Sequence, residues 1–173
     1  MYNKPSSVHI IITGGTIDSE WKGSKDTVEP LKHSAIPGYI NSLKLYPKIK
    51  FTEVCMKDSR NLTEADIKKI LDVIKKSEFK YIVVTHGTYT IVDTARFLKH
   101  HIKGSKKTIV LTGSIAPLMF PHSDAPFNLG FAVGQAISLK PGVYISFNGI
   151  NFKAEEAAKS INQGRFFSIL QAP

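Results

Sequence analysis

Apolar residues gather in short runs along this chain, and the runs are separated by stretches in which apolar positions recur every three or four residues. The runs are VHIIIT at 8–13, KFTEVC at 50–55, YIVVT at 81–85, TIVLTG at 108–113 and VYISF at 143–147. Hydrophobicity that is continuous rather than alternating predicts strands covered on both faces. In 63–76, Ile67, Ile70, Leu71 and Ile74 recur at helical spacing, and Thr63 stands as N-cap ahead of an acidic first turn. Ile91, Thr94, Ala95 and Leu98 do the same in 91–102. Segment 123–139 opens with Ser123 as the expected cap and Pro126 in the first turn, where a missing N–H costs nothing; 36–43 adds a shorter helix. Strands alternating with helices predict right-handed crossovers and an α/β fold of three layers, a mostly parallel sheet between helices. No repeat, low-complexity tract or linker interrupts the pattern, so residues 1–173 read as one domain.

Composition narrows the classes. An apolar fraction of 42% and a charged fraction of 21% are those of an ordinary globular protein. The longest apolar stretches are far too short to span a membrane, and the start of the chain runs into a strand without a leader-like segment. Cys55 is the only cysteine, which excludes an internal disulfide and suits a reducing, cytoplasmic setting. The basic residues behind the net charge of +9 include lysine pairs at 67–76 and 103–107, without interleaved aromatics or a nucleic-acid motif. It reads as a solvated basic surface, and nucleic acid is not an expected partner. The six histidines lack metal-ligand spacing, and His100 and His101 point to different faces of a helix, so neither a metal nor a cofactor is expected.

The candidate chemistry lies where strands end. TGGTIDS (13–19), KDSRN (57–61), THGTYT (85–90) and TGSIAP (112–117) are polar, glycine-containing turns at the predicted carboxyl ends, where parallel sheets bind ligands. They are expected to converge on one crevice. TGGTID has neither the ending of a phosphate loop nor the spaced glycines of a dinucleotide fingerprint. Its glycines allow a sharp turn with exposed amide N–H groups, and Thr16 just beyond suits a nucleophile. Taken alone, the turn reads first as a place where Thr13 and Thr16 act only as caps. A threonine hydroxyl needs a base at neutral pH; Thr88 is placed to relay a proton, and a desolvated lysine would serve as the base. His86, before a glycine at a strand end, reads as a packed, hydrogen-bonded residue rather than the base.

TGGTI, THGTYT, IVLTGSIAP and SDAPFNLGFAV, in this order and spacing, resemble the bacterial-type L-asparaginase family, specifically its larger N-terminal domain. The resemblance implies a flavodoxin-like (Rossmann-like) sheet, with the family's smaller C-terminal domain absent from these 173 residues. It implies that Thr16 is the nucleophile attacking a side-chain amide, that Thr88 is the second catalytic threonine, and that Ser59 binds the substrate's α-carboxylate. Ser114 takes the place of a residue whose backbone lines the amide end of the pocket. Gly15 and Gly87 belong with the binding residues. Lys159, in AEEAAKS, falls by spacing where the family keeps its catalytic lysine; the bland alternative is an exposed lysine on a helix.

Three departures stand out. Tyr89 occupies the position of the aspartate in the family motif HGTDT, which grips the substrate's α-amino group. The lid segment 19–27 carries Trp21 but no tyrosine. The second domain, which completes the pocket from a neighbouring subunit, does not follow. The resulting expectation is an amidohydrolase acting on a small-molecule side-chain amide, with altered or weak activity towards L-asparagine. Arg60 is expected to add a donor for a substrate carboxylate. The alternative is an inactive homologue that binds a small ligand or a partner; an amidotransferase-like component acting near transfer RNA ranks behind both. A homo-oligomer, dimer or tetramer, is expected, with GRFFSIL (164–170) as a candidate contact or, equally, a closing core strand.

Overall fold

The computed structural model describes residues 6–170. In chain order its elements are β1 (Ser7–Gly14), β2 (Ser19–Lys22), β3 (Thr27–Pro30), α1 (Ile36–Ser42), β4 (Lys48–Lys57), α2 (Glu64–Lys76), β5 (Tyr81–Thr85), α3 (Ile91–His101), β6 (Thr108–Thr112), α4 (Ala125–Ser138), β7 (Gly142–Phe147), β8 (Ile150–Lys153), β9 (Ala157–Ser160) and β10 (Arg165–Ser168). The main sheet is six-stranded, in the order β4-β1-β5-β6-β7-β8. All neighbours pair parallel except β8, which runs antiparallel to β7. Ranked along the chain, the parallel strands lie second, first, third, fourth, fifth. The order therefore reverses between β1 and β5, where a doubly wound sheet opens a crevice beyond its carboxyl edge.

Strand parity divides the core in two. Val8, Ile10, Ile12, Val83 and Val110 point to the layer of α1 and α4, meeting Ile36, Ile40, Leu129 and Ala132. Ile11, Ile82, Val84, Ile109 and Leu111 point to the layer of α2 and α3, meeting Ile70, Ile74, Ala95 and Leu98. Successive side chains of a strand face opposite ways, so a run buried on both sides must be apolar at every position. The three layers expected from the pattern are present.

Thr63 caps α2 through a full capping box with Asp66, whose carboxylate also binds Lys57 at 2.7 Å. That pair and the Thr63 amide hold the Asp66 carboxyl down at about 2, and they tie the helix to the end of β4. At α4 the cap differs from expectation. Asp124 is the N-cap residue, while Ser123 accepts from the Ala125 amide at 3.0 Å. The segment holding Lys159 is not helical: it is β9, paired antiparallel with β10. Residues 164–170 do not join the main sheet. Phe166 of β10 is buried against Phe147 and Phe152, whereas Phe167, Ile169 and Leu170 stay exposed.

Strands β2, β3 and β8 were not foreseen. β2 and β3 form a hairpin carrying Trp21 exposed, and β8 turns back on β7 through Asn148 and Gly149, both at positive φ. Asn-Gly between apolar positions is the favoured signal for such a two-residue turn, and it stands in the sequence.

Two buried histidines give the fold a pH signature. His9 bridges Ser77 Oγ at 2.9 Å and Thr52 Oγ1 at 2.8 Å. Burial first, then the charges of Lys50 and Lys107, pull it from 6.5 to about 4. Burial alone brings the fully enclosed His86 to about 4, against the opposing effect of its bond to the Gly87 carbonyl. The unfolded chain thus binds protons that the native rings refuse as pH falls from 6.5 to 4. Stability is complete above 6.5, declines through that window and stops falling for this reason near 4. Each histidine contributes a slope of up to about 1.4 kcal/mol per pH unit. Urea titrations of the unchanged protein and of His9→Gln across this range are expected to differ by one such slope; parallel stability curves would refute the account.

Candidate active site

Four turns meet at the carboxyl edge because their backbones approach too closely for side chains. Gly15 adopts φ +81°, and a Cβ there would lie 2.5 Å from Gly87 Cα. A Cβ on Gly87 would lie 2.6 Å from Ser59 Oγ, and one on Gly113 would collide with the His86 carbonyl. Hydrogen bonds fasten the same contacts. The Gly15 amide donates to the Lys57 carbonyl at 2.8 Å, and the Thr13 hydroxyl donates to the Thr85 carbonyl at 2.8 Å. Thr90 Oγ1 donates to the Ser59 carbonyl at 2.9 Å, and the Leu118 amide to the Ile17 carbonyl at 2.9 Å. Every turn is thus tied to its neighbour.

Thr16 opens the short 3-10 turn after β1 and is half-buried. Thr88 is buried at the end of β5, and Lys159 reaches it from β9, donating from Nζ to Thr88 Oγ1 at 2.6 Å. Burial lowers the Lys159 amine below its ordinary range. Lys159 has no carboxylate partner among the described residues. The ring of Tyr89, half-exposed at 51%, lies 4.5 Å from Lys159 Nζ and 4.7 Å from Arg60 Cζ, measured to its centroid. Both cations therefore lie within cation–π distance of the one ring.

The Arg60 guanidinium is held by Asp58, with Nε at 3.0 Å from Oδ1 and Nη2 at 2.8 Å from Oδ2. Its side-on pair of donors, Nε–H and one Nη2–H, is thus taken, and the end-on face with Nη1 remains for a ligand. Ser59 is 2% exposed, and its hydroxyl has no hydrogen-bond partner among the described residues. Ser114 is buried, with its hydroxyl turned onto the Ala116 carbonyl of its own loop. His86 has no role at the surface of the crevice. Its Nδ1 faces the Gly87 carbonyl at 2.8 Å and so carries the hydrogen; Nε2 then accepts from Thr94 Oγ1 at 3.0 Å. The ring is neutral and fully used.

Three supporting residues escaped the sequence reading. Asp18, wholly buried, accepts from Ser34 Oγ and the Ala35 amide and anchors the Thr16 turn to α1; burial raises its carboxyl above the usual range. Asp124 accepts from the Ile115 and Ala116 amides and fixes the Ser114 loop. Arg96 on α3 donates to the carbonyls of Ala154 and Ala157 and so positions β9 with its lysine. The capping type of Asp124 was readable; the reach of Arg96 was not. Among the described residues no cluster of His, Cys, Asp and Glu is arranged to hold a metal, and no helix is long and apolar enough to cross a membrane.

A doubly wound sheet with paired threonine turns and a lysine at its switch point defines a class of hydroxyl-bearing α/β sites. Residues 7–167 match the model of the asparaginase N-terminal domain, and the chain belongs to that family. It is 31% identical over 173 residues to a glutaminase-asparaginase of Acinetobacter glutaminasificans, covering 91% of this chain and 50% of that protein. The fold superposes on the thermostable L-asparaginase from Thermococcus kodakarensis with a TM-score of 0.81 at 28% identity, over 96% of this chain and 52% of that one. It superposes on L-asparaginase I from Vibrio cholerae with a TM-score of 0.83 at 25% identity, over 95% and 51%. The chain thus spans about half the length of the curated relatives it matches.

The glycine contacts make a sharp test. Gly15→Ala is expected to cost at least about 2–3 kcal/mol in urea unfolding, because the new methyl meets backbone at a φ that favours glycine. Gly38→Ala in α1, with open space around its Cβ, is expected to stabilise by up to about 1 kcal/mol. Equal effects at the two positions would show that the turns are not packed this tightly.

Proposed function

We propose that the chain is an amidohydrolase of linear amides that uses Thr16 as nucleophile on a small-molecule side-chain amide. The observation that carries this reading is the 2.6 Å bond between Lys159 Nζ and Thr88 Oγ1. A threonine hydroxyl reacts only when a base removes its proton, and a desolvated amine with no counter-ion is such a base. In the proposed course, Thr16 passes its proton through Thr88 to neutral Lys159 as its oxygen attacks the amide carbon. Ammonia leaves with a proton returned from Lys159, and water then cleaves the threonine ester to give the acid. The close contact of the Gly15 and Gly87 backbones supports bringing the two threonine turns together. Family membership supports the reaction class. Ser59, with its unpartnered hydroxyl, Arg60 and the Ser114 loop are proposed to bind the rest of the substrate.

L-Asparagine is proposed to be a poor substrate, because Tyr89 stands where the family motif carries a carboxylate. An unpaired ammonium in a partly buried site costs about 2–5 kcal/mol, or roughly thirty- to several-thousand-fold in rate or affinity. We further propose a cytoplasmic homo-oligomer. The exposed side chains of Phe167, Ile169 and Leu170 support self-association, and light scattering that found a strict monomer at high concentration would count against it.

Ammonia release across a panel of amides tests the reading. Thr16→Ala, Thr88→Ala and Lys159→Met are each expected to lower kcat by about 10²–10⁴-fold. The rate is expected to rise with pH and level off above the Lys159 pKa, which burial places below 10.5, because only the neutral amine accepts a proton. Lys159→Arg keeps the charge and is expected to be as inactive as Lys159→Met. No ammonia from any amide, or an unaffected Thr16→Ala, would leave the inactive ligand-binding homologue as the surviving description.

A further inference from the structure

The carboxylates at the edge of the crevice are all engaged. Asp18 binds Ser34 and the Ala35 amide. Asp58 takes the Arg60 amide together with two nitrogens of its guanidinium. Asp66 holds Lys57 and both polar groups of Thr63. Asp124 accepts the amides of Ile115 and Ala116 and the side chain of Asn128. Just ahead of β9, Glu155 meets Lys99 and Glu156 meets the Lys153 amide. Asp93 is exposed on α3, on the face opposite the buried Ile91, Thr94, Ala95 and Leu98.

The donors are not exhausted in the same way. Arg60, charged at every working pH, makes no hydrogen bond through Nη1 among the described residues. The adjoining Ser59 hydroxyl is buried and unpartnered. Tyr89 lies between Arg60 and Lys159 and presents a neutral ring to the crevice.

We infer that this site takes an amide whose far end is an anion and which bears no ammonium group: a half-amide of a dicarboxylic acid. The far carboxylate pairs with Arg60 Nη1, a charge-assisted contact at the rim of the Ser59 turn. An ammonium entering the same space gives up water beside a fixed guanidinium and finds no free carboxylate to meet it. Selectivity comes from that unmet charge as much as from the donors. The inference rests on the proposed amidohydrolase reading for which end of the ligand is the amide. The charge preference itself is a matter of binding.

Calorimetric titration of the Thr16→Ala chain, checked for an unchanged melting temperature, separates the two. Succinamate, neutral succinamide and asparagine serve as probes at pH 7 and low salt. Succinamate is expected to bind at least tenfold more tightly than either, with its lead over succinamide shrinking as salt is added. Arg60→Gln is expected to remove most of that lead, and Tyr89→Asp to restore asparagine at the expense of succinamate. Asparagine binding as well as succinamate on the chain with Tyr89, or no succinamate binding up to millimolar concentration, overturns the inference. The predicted order of binding without ammonia release by the unchanged protein sinks the amidohydrolase reading and leaves this one intact. Ammonia release with the reverse order does the opposite.

Discussion

The carboxyl edge of this sheet is organised by backbone pressed on backbone. Gly15 lies against Gly87, Gly87 against Ser59 and Gly113 against the His86 carbonyl, and none of these contacts leaves room for a Cβ. The parallel order brings the strand ends to one side, but it does not by itself bring their turns within reach of each other. Removing three side chains does so, and the neighbouring hydroxyls are then carried on segments that cannot shift independently. A buried, neutral His86 completes the arrangement by tying the same turn to α3.

Much of this was legible in the chain. The Val, Ile and Leu runs within 10–12, 82–84 and 109–111 can be buried only in a sheet covered on both faces, and the two cores divide by strand parity as that requires. Thr63 and Asp66 spelled out their cap, and the glycine-rich strand ends marked the edge at which the turns meet. Residues 154–160 were harder. Ala, Glu and Lys are strong helix formers, yet the segment pairs as β9 because Arg96 captures two of its carbonyls and β10 supplies the strand beside it. The Arg96 contact comes from a residue distant in sequence, so local propensity had no access to it. The position of Tyr89 between two cations was hidden for the same reason: Arg60 and Lys159 lie 29 and 70 positions away.

The crevice combines rigidity with an electrostatic imbalance. Its carboxylates are used to hold turns, caps and neighbouring cations, so the scaffold that fixes the hydroxyls also removes the anions from circulation. An aromatic ring at position 89 can cover Arg60 and Lys159 without neutralising either. The lysine then depends on desolvation alone for its altered basicity.

Lys159 belongs to a two-stranded ribbon outside the main sheet, joined to the body by the buried Ala157 and Phe166, the Arg96 guanidinium, the Lys159–Thr88 bond and the exposed Lys99–Glu155 pair. Such a unit can open without unfolding the sheet, since few bonds cross to it. Its amides should exchange with solvent faster than those of β1, β5 and β6, and each opening withdraws the amine from Thr88 while both threonines stay in place. The fraction of molecules in which the amine meets Thr88 is then governed by the docking equilibrium of a short hairpin, a quantity that temperature or denaturant would lower well before the global transition.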